Sequence, residues 1–392
     1  MDKQKLFEKH QGQTTPYPLS IEVTKAKGMY ITDKSGKNYL DLVAGVSACT
    51  LGHTHPRIVE AVQKQAAEYM HVMVYGEFIQ NPQLKLAQKL ASLLPESLNC
   101  TYFVNSGVEA IEAAMKLAKR TTGRPEIISC KNSYHGSTQG ALSIMGTETY
   151  KQKYRPLLPD CNQITYNNID SLTHITTKTA AVIIEPVQGA TGFITPKKDF
   201  LKAVRKKCSQ MGTLLIFDEI QTCYGRTGNL FGFETYQVIP DVLCMAKGMG
   251  GGMPIGAFTT STELMHSLRN NPKLGHITTF GGHPTSCVAA LETLNILCET
   301  SIIEQVKTKE KLFREVLKHP KIKEIRGVGL MLALEFGNTE TCKKLVSRGL
   351  ELGIITFFFL FTDTAVRLSP PLTISEDEIK QAGKIICSIL DE

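Results

Sequence analysis

Beyond about residue 55 the chain alternates between short, continuous apolar runs and amphipathic segments. Strand-like runs recur at residues 101–105, 126–130, 180–185, 213–218, 241–245 and 255–259, with helical spacing between several of them, as at 198–211. A strand with one wet face would alternate apolar and polar side chains; continuous runs are buried on both faces. The pattern therefore predicts an α/β fold, a largely parallel sheet covered by helices. Pro56 opens a helix whose Ile58, Val59, Val62 and Ala66 fall on one face. Residues 1–50 read as short strands around the turn at 33–36. After residue 285 come a long helix to about 299, a second helix, a strand at 329–336, a helix at 340–352 and a final helix from Ser375. The Phe-rich run at 354–361 is expected to be a buried strand. This organisation predicts a large domain over 51–285 and a smaller α/β domain combining 286–392 with 1–50.

Composition narrows the class of molecule without deciding it. The 392 residues can bury a large core, and 42% apolar with 21% charged residues is ordinary for a globular protein. A formal charge of +7 with no long basic block reads as a solvated surface rather than a nucleic-acid footprint. The eleven cysteines include no C-x-x-C pair, which points away from disulfide or zinc frameworks and towards a reducing compartment. No apolar core of a signal peptide is visible near the start, and the run at 354–361 is too short to span a bilayer, so a cytoplasmic location is expected. His53 and His55 lack a third ligand at sensible spacing, and no metal site is expected.

Two of the apolar runs end in chemistry. The run at 214–217 ends in Asp218, and the run at 241–246 ends in Lys247, followed by a loop holding five glycines. In a parallel sheet both side chains reach the same edge. A carboxylate beside an amine is what a pyridoxal phosphate enzyme needs: the amine forms a Schiff base and the acid keeps the pyridine nitrogen protonated. The glycine loop fits neither G-x-x-x-x-G-K-[ST] nor G-x-G-x-x-G, because the lysine precedes the glycines. Ser106 and Glu109 have capping-box spacing at the start of a helix that follows a strand; such a helix start is a ready anion site. Tyr134-His135-Gly136 follows the next strand, where an aromatic ring can cover a flat cofactor and glycine permits close approach.

Taken together, the segments resemble the class III (ω-amino acid) aminotransferases of fold type I, the acetylornithine, ornithine and 4-aminobutyrate group. The matching stretches run in family order over nearly the whole chain: residues 41–45, 51–56, 105–110, 134–136, 185–189, 218–222, 225–228, 246–248, 279–282 and 367–372. The resemblance implies a seven-stranded type of sheet and pyridoxal 5'-phosphate as cofactor. It implies that Lys247 carries the Schiff base and shuttles the proton, Asp218 pairs with the pyridine nitrogen, Gln221 sits near the phenolic oxygen, and Tyr134 stacks on the ring. Glu185 belongs to the same cofactor shell. The backbone of Ser106, Gly107 and Val108 would bind phosphate, and Thr279 would reach the phosphate of a neighbouring subunit. The active unit would then be a homodimer at least, with a tetramer left open. The implied reaction is ping-pong, from an amine to a 2-oxo acid.

The departures bear on substrate. Relatives of the acetylornithine, ornithine and 4-aminobutyrate types usually have a donor-binding arginine where this chain has Ser137. They also tend to have a glutamate, masking a second arginine, where this chain has Ala190. Arg367 matches that second arginine. The expected donor is therefore one that needs no arginine clamp, such as an ω-amine, a diamine or a β-amino acid, with Arg367 free for the acceptor's carboxylate. The same fold also hosts aminomutases, racemases and decarboxylases, and a non-catalytic cofactor-binding protein is a further alternative.

Overall fold

The computed structural model describes residues 3–73 and 76–392. Strands β1 (Val23–Lys27), β2 (Tyr30–Asp33) and β3 (Asn38–Asp41) form an antiparallel meander. Its tight turn is closed by the Asp33 carboxylate, which accepts from the backbone N–H groups of Ser35 and Lys37.

Next come β4 (Cys100–Val104), β5 (Glu126–Cys130), β6 (Cys161–Ile164), β7 (Thr179–Ile184), β8 (Leu214–Asp218), β9 (Val242–Met245) and β10 (Gly256–Thr260). They make a seven-stranded sheet in the order β4-β10-β9-β8-β7-β5-β6. All the ladders from β9 to β6 are parallel, and β10 alone runs against its neighbours β9 and β4. Strands β7, β9 and β10 are buried at every position, as the continuous apolar runs require. Six of the seven strands lie where the hydrophobic pattern places them, within a residue or so. The seventh, β6, escapes that pattern because Cys161-Asn-Gln-Ile is an edge strand with two polar side chains.

The C-terminal part adds β11 (Glu324–Val328), β12 (Met331–Glu335), β13 (Ile354–Ile355), β14 (Phe357–Phe358) and β15 (Ala365–Leu368). The Phe-rich run is not the single buried strand expected. Its first half, β13, pairs in parallel with β3 and completes the N-terminal sheet, β1-β2-β3-β13. At Thr356 the chain changes sheets, and β14 becomes the edge of β11-β12-β15-β14. Phe357 and Leu360 are 40% and 42% exposed. A stretch whose two halves hydrogen-bond to different sheets cannot keep one buried face throughout.

The Pro284–Glu299 helix starts on a helix-compatible proline and packs against the Pro56–Glu68 and Asn81–Leu93 helices. In the Pro56–Glu68 helix Ile58 is buried as expected, with Gln65 rather than Ala66 beside it, while Val59 is exposed. One apolar cluster runs from Leu40 through Phe217 to Ile386, tying both ends of the chain to the large sheet.

Candidate active site

Parallel strands end on one edge, and ligands in such sheets bind outside those carboxyl ends. Here β4 leads into Ser106, β5 into Tyr134, β7 into Glu185, β8 ends at Asp218 and β9 leads into Lys247. All five side chains line one cavity of about 800 Å³. Gly107, Val108, Ser137, Ala190, Gln221 and Arg367 line it too. Of the residues expected to bind cofactor or substrate, Thr279 lies elsewhere, on an exposed segment outside this cavity.

Lys247 follows β9 with a left-handed backbone (φ 46°), an uncommon state for a residue with a side chain. Burial lowers its pKa, Asp218 opposes that shift, and Arg367 reinforces it. No ion pair among the described residues holds its amine, which favours the neutral, nucleophilic form. The loop is tightly seated: a Cβ on Gly248 would lie 2.3 Å from the Thr50 hydroxyl.

Asp218 is fixed by a 2.7 Å hydrogen bond with His135 Nδ1 and by the Ile220 N–H at 3.1 Å. Burial opposes a charge on His135, but the bond to Asp218 and the charges of Asp218 and Glu185 outweigh it and raise its pKa. Glu185 accepts from the backbone N–H of Tyr134 at 3.0 Å and of Gly189 at 2.7 Å. Burial, reinforced by Asp218 and opposed by His135, lifts its pKa to about 7.

The Gly107–Thr122 helix points its start at the cavity. Ser106 Oγ accepts from Glu109 N at 3.3 Å, half of the expected capping box. The other half is displaced by one residue: the Glu109 carboxylate takes the N–H of Asn105 at 2.6 Å, together with the Asn105 amide, instead of the N–H of Ser106. The first-turn N–H groups of Gly107 and Val108 have no partner within the helix, so the positive end of its dipole faces the cavity.

Arg367, on β15, is buried, its Nε has no partner, and burial brings its pKa down to about 10. Its guanidinium stacks over Phe359 at 4.8 Å and Phe193 at 5.7 Å. The Ala190 side chain offers no carboxylate to mask it; the Ala190 carbonyl instead accepts from Phe361 N at 2.9 Å. Ser137 Oγ lies 3.2 Å from the Tyr134 hydroxyl. Gln221 Nε2 donates to Ser47 Oγ at 3.2 Å.

Ser47 belongs to a part of the site that the sequence alone did not reveal. Ala44, Gly45, Val46 and Ser47 all have left-handed backbone angles, with φ of 54°, 59°, 60° and 67°. Such a turn costs about 1–2 kcal/mol per residue with a side chain. Asp41 holds it, accepting from Val43 N at 2.8 Å and Ala44 N at 3.0 Å, while its second oxygen meets His53 Nε2 at 2.8 Å. Asp41, with a contribution from the Cys49 thiol and against burial, raises the His53 pKa to about 10. The turn places Val46 and Ala48 in the cavity wall. The family-like stretches 41–45 and 51–56 carry its acid and, twelve residues on, its histidine, but nothing in them announces the turn.

An unpaired amine, an anchored carboxylate, an anion-ready helix start and a buried unpaired arginine thus share one cavity. This is the equipment of an enzyme that handles amines and acids. The chain belongs to the class III aminotransferases, whose family profile matches residues 12–390, and it is a transaminase. It is similar to the acetylornithine aminotransferase of Methanopyrus kandleri, 36% identical over 388 residues that cover 97% of each chain. The acetylornithine aminotransferase of Methanocaldococcus jannaschii is 40% identical over 375 residues, 92% of this chain and 91% of that one. Among solved structures, a transaminase from a marine Virgibacillus matches with a TM-score of 0.92 at 28% identity, covering 98% of this chain and 97% of that one. The ornithine aminotransferase of Toxoplasma gondii matches with a TM-score of 0.91 at 30% identity, covering 99% and 94%.

Proposed function

We propose that this transaminase uses pyridoxal 5'-phosphate and moves an amino group from a donor that needs no arginine clamp to a 2-oxo acid whose carboxylate is held by Arg367. The observation that carries this reading is Lys247, a buried lysine without an ion pair in a cavity that also holds an anchored carboxylate. The residues present fit the cofactor: the orphan N–H groups of Gly107 and Val108 suit its phosphate, and Asp218 suits a ring nitrogen. Tyr134 lies at the next strand end to cover the ring, with Glu185 and Gln221 completing the shell. Pyridoxal phosphate, when bound, supplies a carbonyl that accepts an amine and a ring that stores the electron pair leaving the donor carbon.

The chain's own part is binding and proton handling. Lys247 would hold the cofactor through its neutral amine and, once the donor amine has displaced it and freed its nitrogen, would carry a proton off and onto the reacting carbon. Asp218, oriented by His135, would hold the proton at the ring nitrogen. Arg367 takes the acceptor's carboxylate in a bidentate contact, replacing an unpartnered buried cation with a satisfied one. With Ser137 at the mouth, an ω-amine, a diamine or a β-amino acid is the donor class. A second reading, N-acetylornithine as donor, is favoured by the names of the relatives at 36% and 40% identity.

We further read the active unit as a homodimer, with Thr279 serving the partner's site. Exposed apolar side chains at Phe78, Leu84 and Leu274, which line a second cavity of about 720 Å³, support this, as do Ile79, Ile277 and Phe280, exposed on the same chain segments.

The deciding experiment is the visible spectrum of the cofactor-loaded protein, with single amines added in the absence of acceptor. Bleaching by putrescine or β-alanine but not by N-acetylornithine supports the clamp-free reading; bleaching by N-acetylornithine alone selects the second reading. Arg367→Met should raise KM for the 2-oxo acid about 10- to 100-fold, as expected for losing charge-assisted hydrogen bonds. An unchanged KM would place the acceptor elsewhere.

A further inference from the structure

The Phe-rich run is apolar, yet only part of it is core: Ile354 and Phe359 are buried, whereas Phe357 and Leu360 are exposed. It crosses from one sheet to another at Thr356 and then presents Phe357, Phe358, Phe359 and Leu360 to the cavity that holds Lys247. Within the β14–β15 ladder Phe357 is the direct partner of Arg367, so the two side chains rise from the same face. Phe359 lies against the Arg367 guanidinium and packs edge-on to Phe193 at 4.8 Å, which fixes the deeper end of the wall. Phe357 and Leu360, at the outer end, stay exposed. Large apolar groups left uncovered at the lip of a cavity are a binding surface, since leaving them in water has no folding benefit.

The charged groups around the cavity narrow what that wall can meet. Its lining includes two acids, Glu185 and Asp218. Both are committed, Asp218 to His135 and Glu185 to the backbone of Tyr134 and Gly189. Neither is left for the far ammonium of a diamine. Ser137 offers a hydroxyl where a clamp would need a cation, so a charged far end of either sign lacks a dedicated partner apart from Arg367, which the acceptor uses.

We propose that the amino donor is a primary amine with an uncharged alkyl or aryl body, and that the Phe357–Leu360 wall receives this body. The inference rests on the reading of the Lys247 cavity given above, and it narrows the clamp-free donors to their apolar members. Phe357 and Leu360 act as specificity residues and take no part in proton transfer.

The test uses the cofactor-loaded protein and the rate of bleaching by each amine. A series from n-propylamine to n-hexylamine should gain about 3- to 4-fold in kcat/KM per methylene until the wall is covered. 1-Phenylethylamine should be a good donor. Putrescine, which matches n-pentylamine in length but ends in an ammonium, should be slower by about 10-fold or more. Phe357→Ala should flatten the chain-length gain, whereas general damage would slow every amine equally. Phe357→Asp should shift preference towards putrescine. A flat series, or putrescine or N-acetylornithine outpacing n-pentylamine, overturns the proposal and leaves the transaminase reading intact. A protein that acquires no visible band with pyridoxal phosphate, or bleaches with no amine at all, overturns both.

Discussion

Gly136 sits where no side chain fits. Its φ of 126° disfavours any other residue, and a Cβ there would lie 2.2 Å from Val108 Cγ2, against the start of the helix that faces the cavity. Gly136→Ala should therefore displace Val108 and weaken pyridoxal phosphate binding on the order of 10-fold or more, at a stability cost of roughly 1–3 kcal/mol. A cofactor titration and a melting curve would check both. Glu185 couples stability to pH. Its pKa is raised from 4.5 to about 7, so the folded protein holds a proton that the unfolded chain releases. The stability from that proton is complete below about pH 4.5 and is lost as pH rises through about 7. Glu185→Gln should remove that decline, roughly 1–3 kcal/mol between pH 4.5 and 8 by denaturant titration of the cofactor-free protein. Lys247 and Asp218 were legible because each terminates an apolar run. His135 was not singled out for a role: its contact with Asp218 spans 83 residues of chain, and nothing local announces it.

At the level of elements, legibility followed periodicity. Strands buried on both faces left continuous apolar runs and were found; the polar edge strand β6 left none. The capping box was read correctly in its serine half and shifted in its glutamate half, because a flexible carboxylate can reach Asn105 as easily as Ser106. The left-handed turn at residues 44–47 has no sequence pattern, since tertiary contacts hold it against its local preference. Those contacts are testable through pH. His53, with its pKa raised from 6.5 to about 10 by Asp41 and Cys49, stabilises the fold fully below about pH 6.5 and loses that effect as pH rises through about 10. His53→Gln should cost about 2 kcal/mol at pH 6 and much less at pH 10.5, read by denaturant midpoint at the two pH values. Equal loss at both would mean that the pair is not charged and that packing alone holds the turn.

For the whole molecule, the apolar side chains beside the second cavity are the main clue to assembly. Ile79 is 91% exposed, a poor state for an isoleucine in a lone protein. On the proposed homodimer, Ile79→Asp or Phe280→Asp should shift light-scattering mass from dimer towards monomer and reduce turnover, since Thr279 would no longer reach a second site. A variant that stays dimeric would send the interface elsewhere. None of this surface was legible in the sequence, because an exposed apolar residue and a buried one are written with the same letter; only the fold separates them.

The change of sheets at Thr356 has a mechanical consequence. Leu40 N–H donates to the Gly353 carbonyl at 2.9 Å and Leu42 N–H to the Ile355 carbonyl at 3.0 Å, on one side of that crossover. Phe357 begins on the other. An amine pressed against Phe357 would therefore load a segment stitched to the N-terminal meander, whose following turn already puts Val46 and Ala48 in the cavity wall. Deuterium uptake at the Leu40 and Leu42 amides should slow when a donor fills the cavity, so the N-terminal strands would report occupancy of a site to which they contribute no reacting atom.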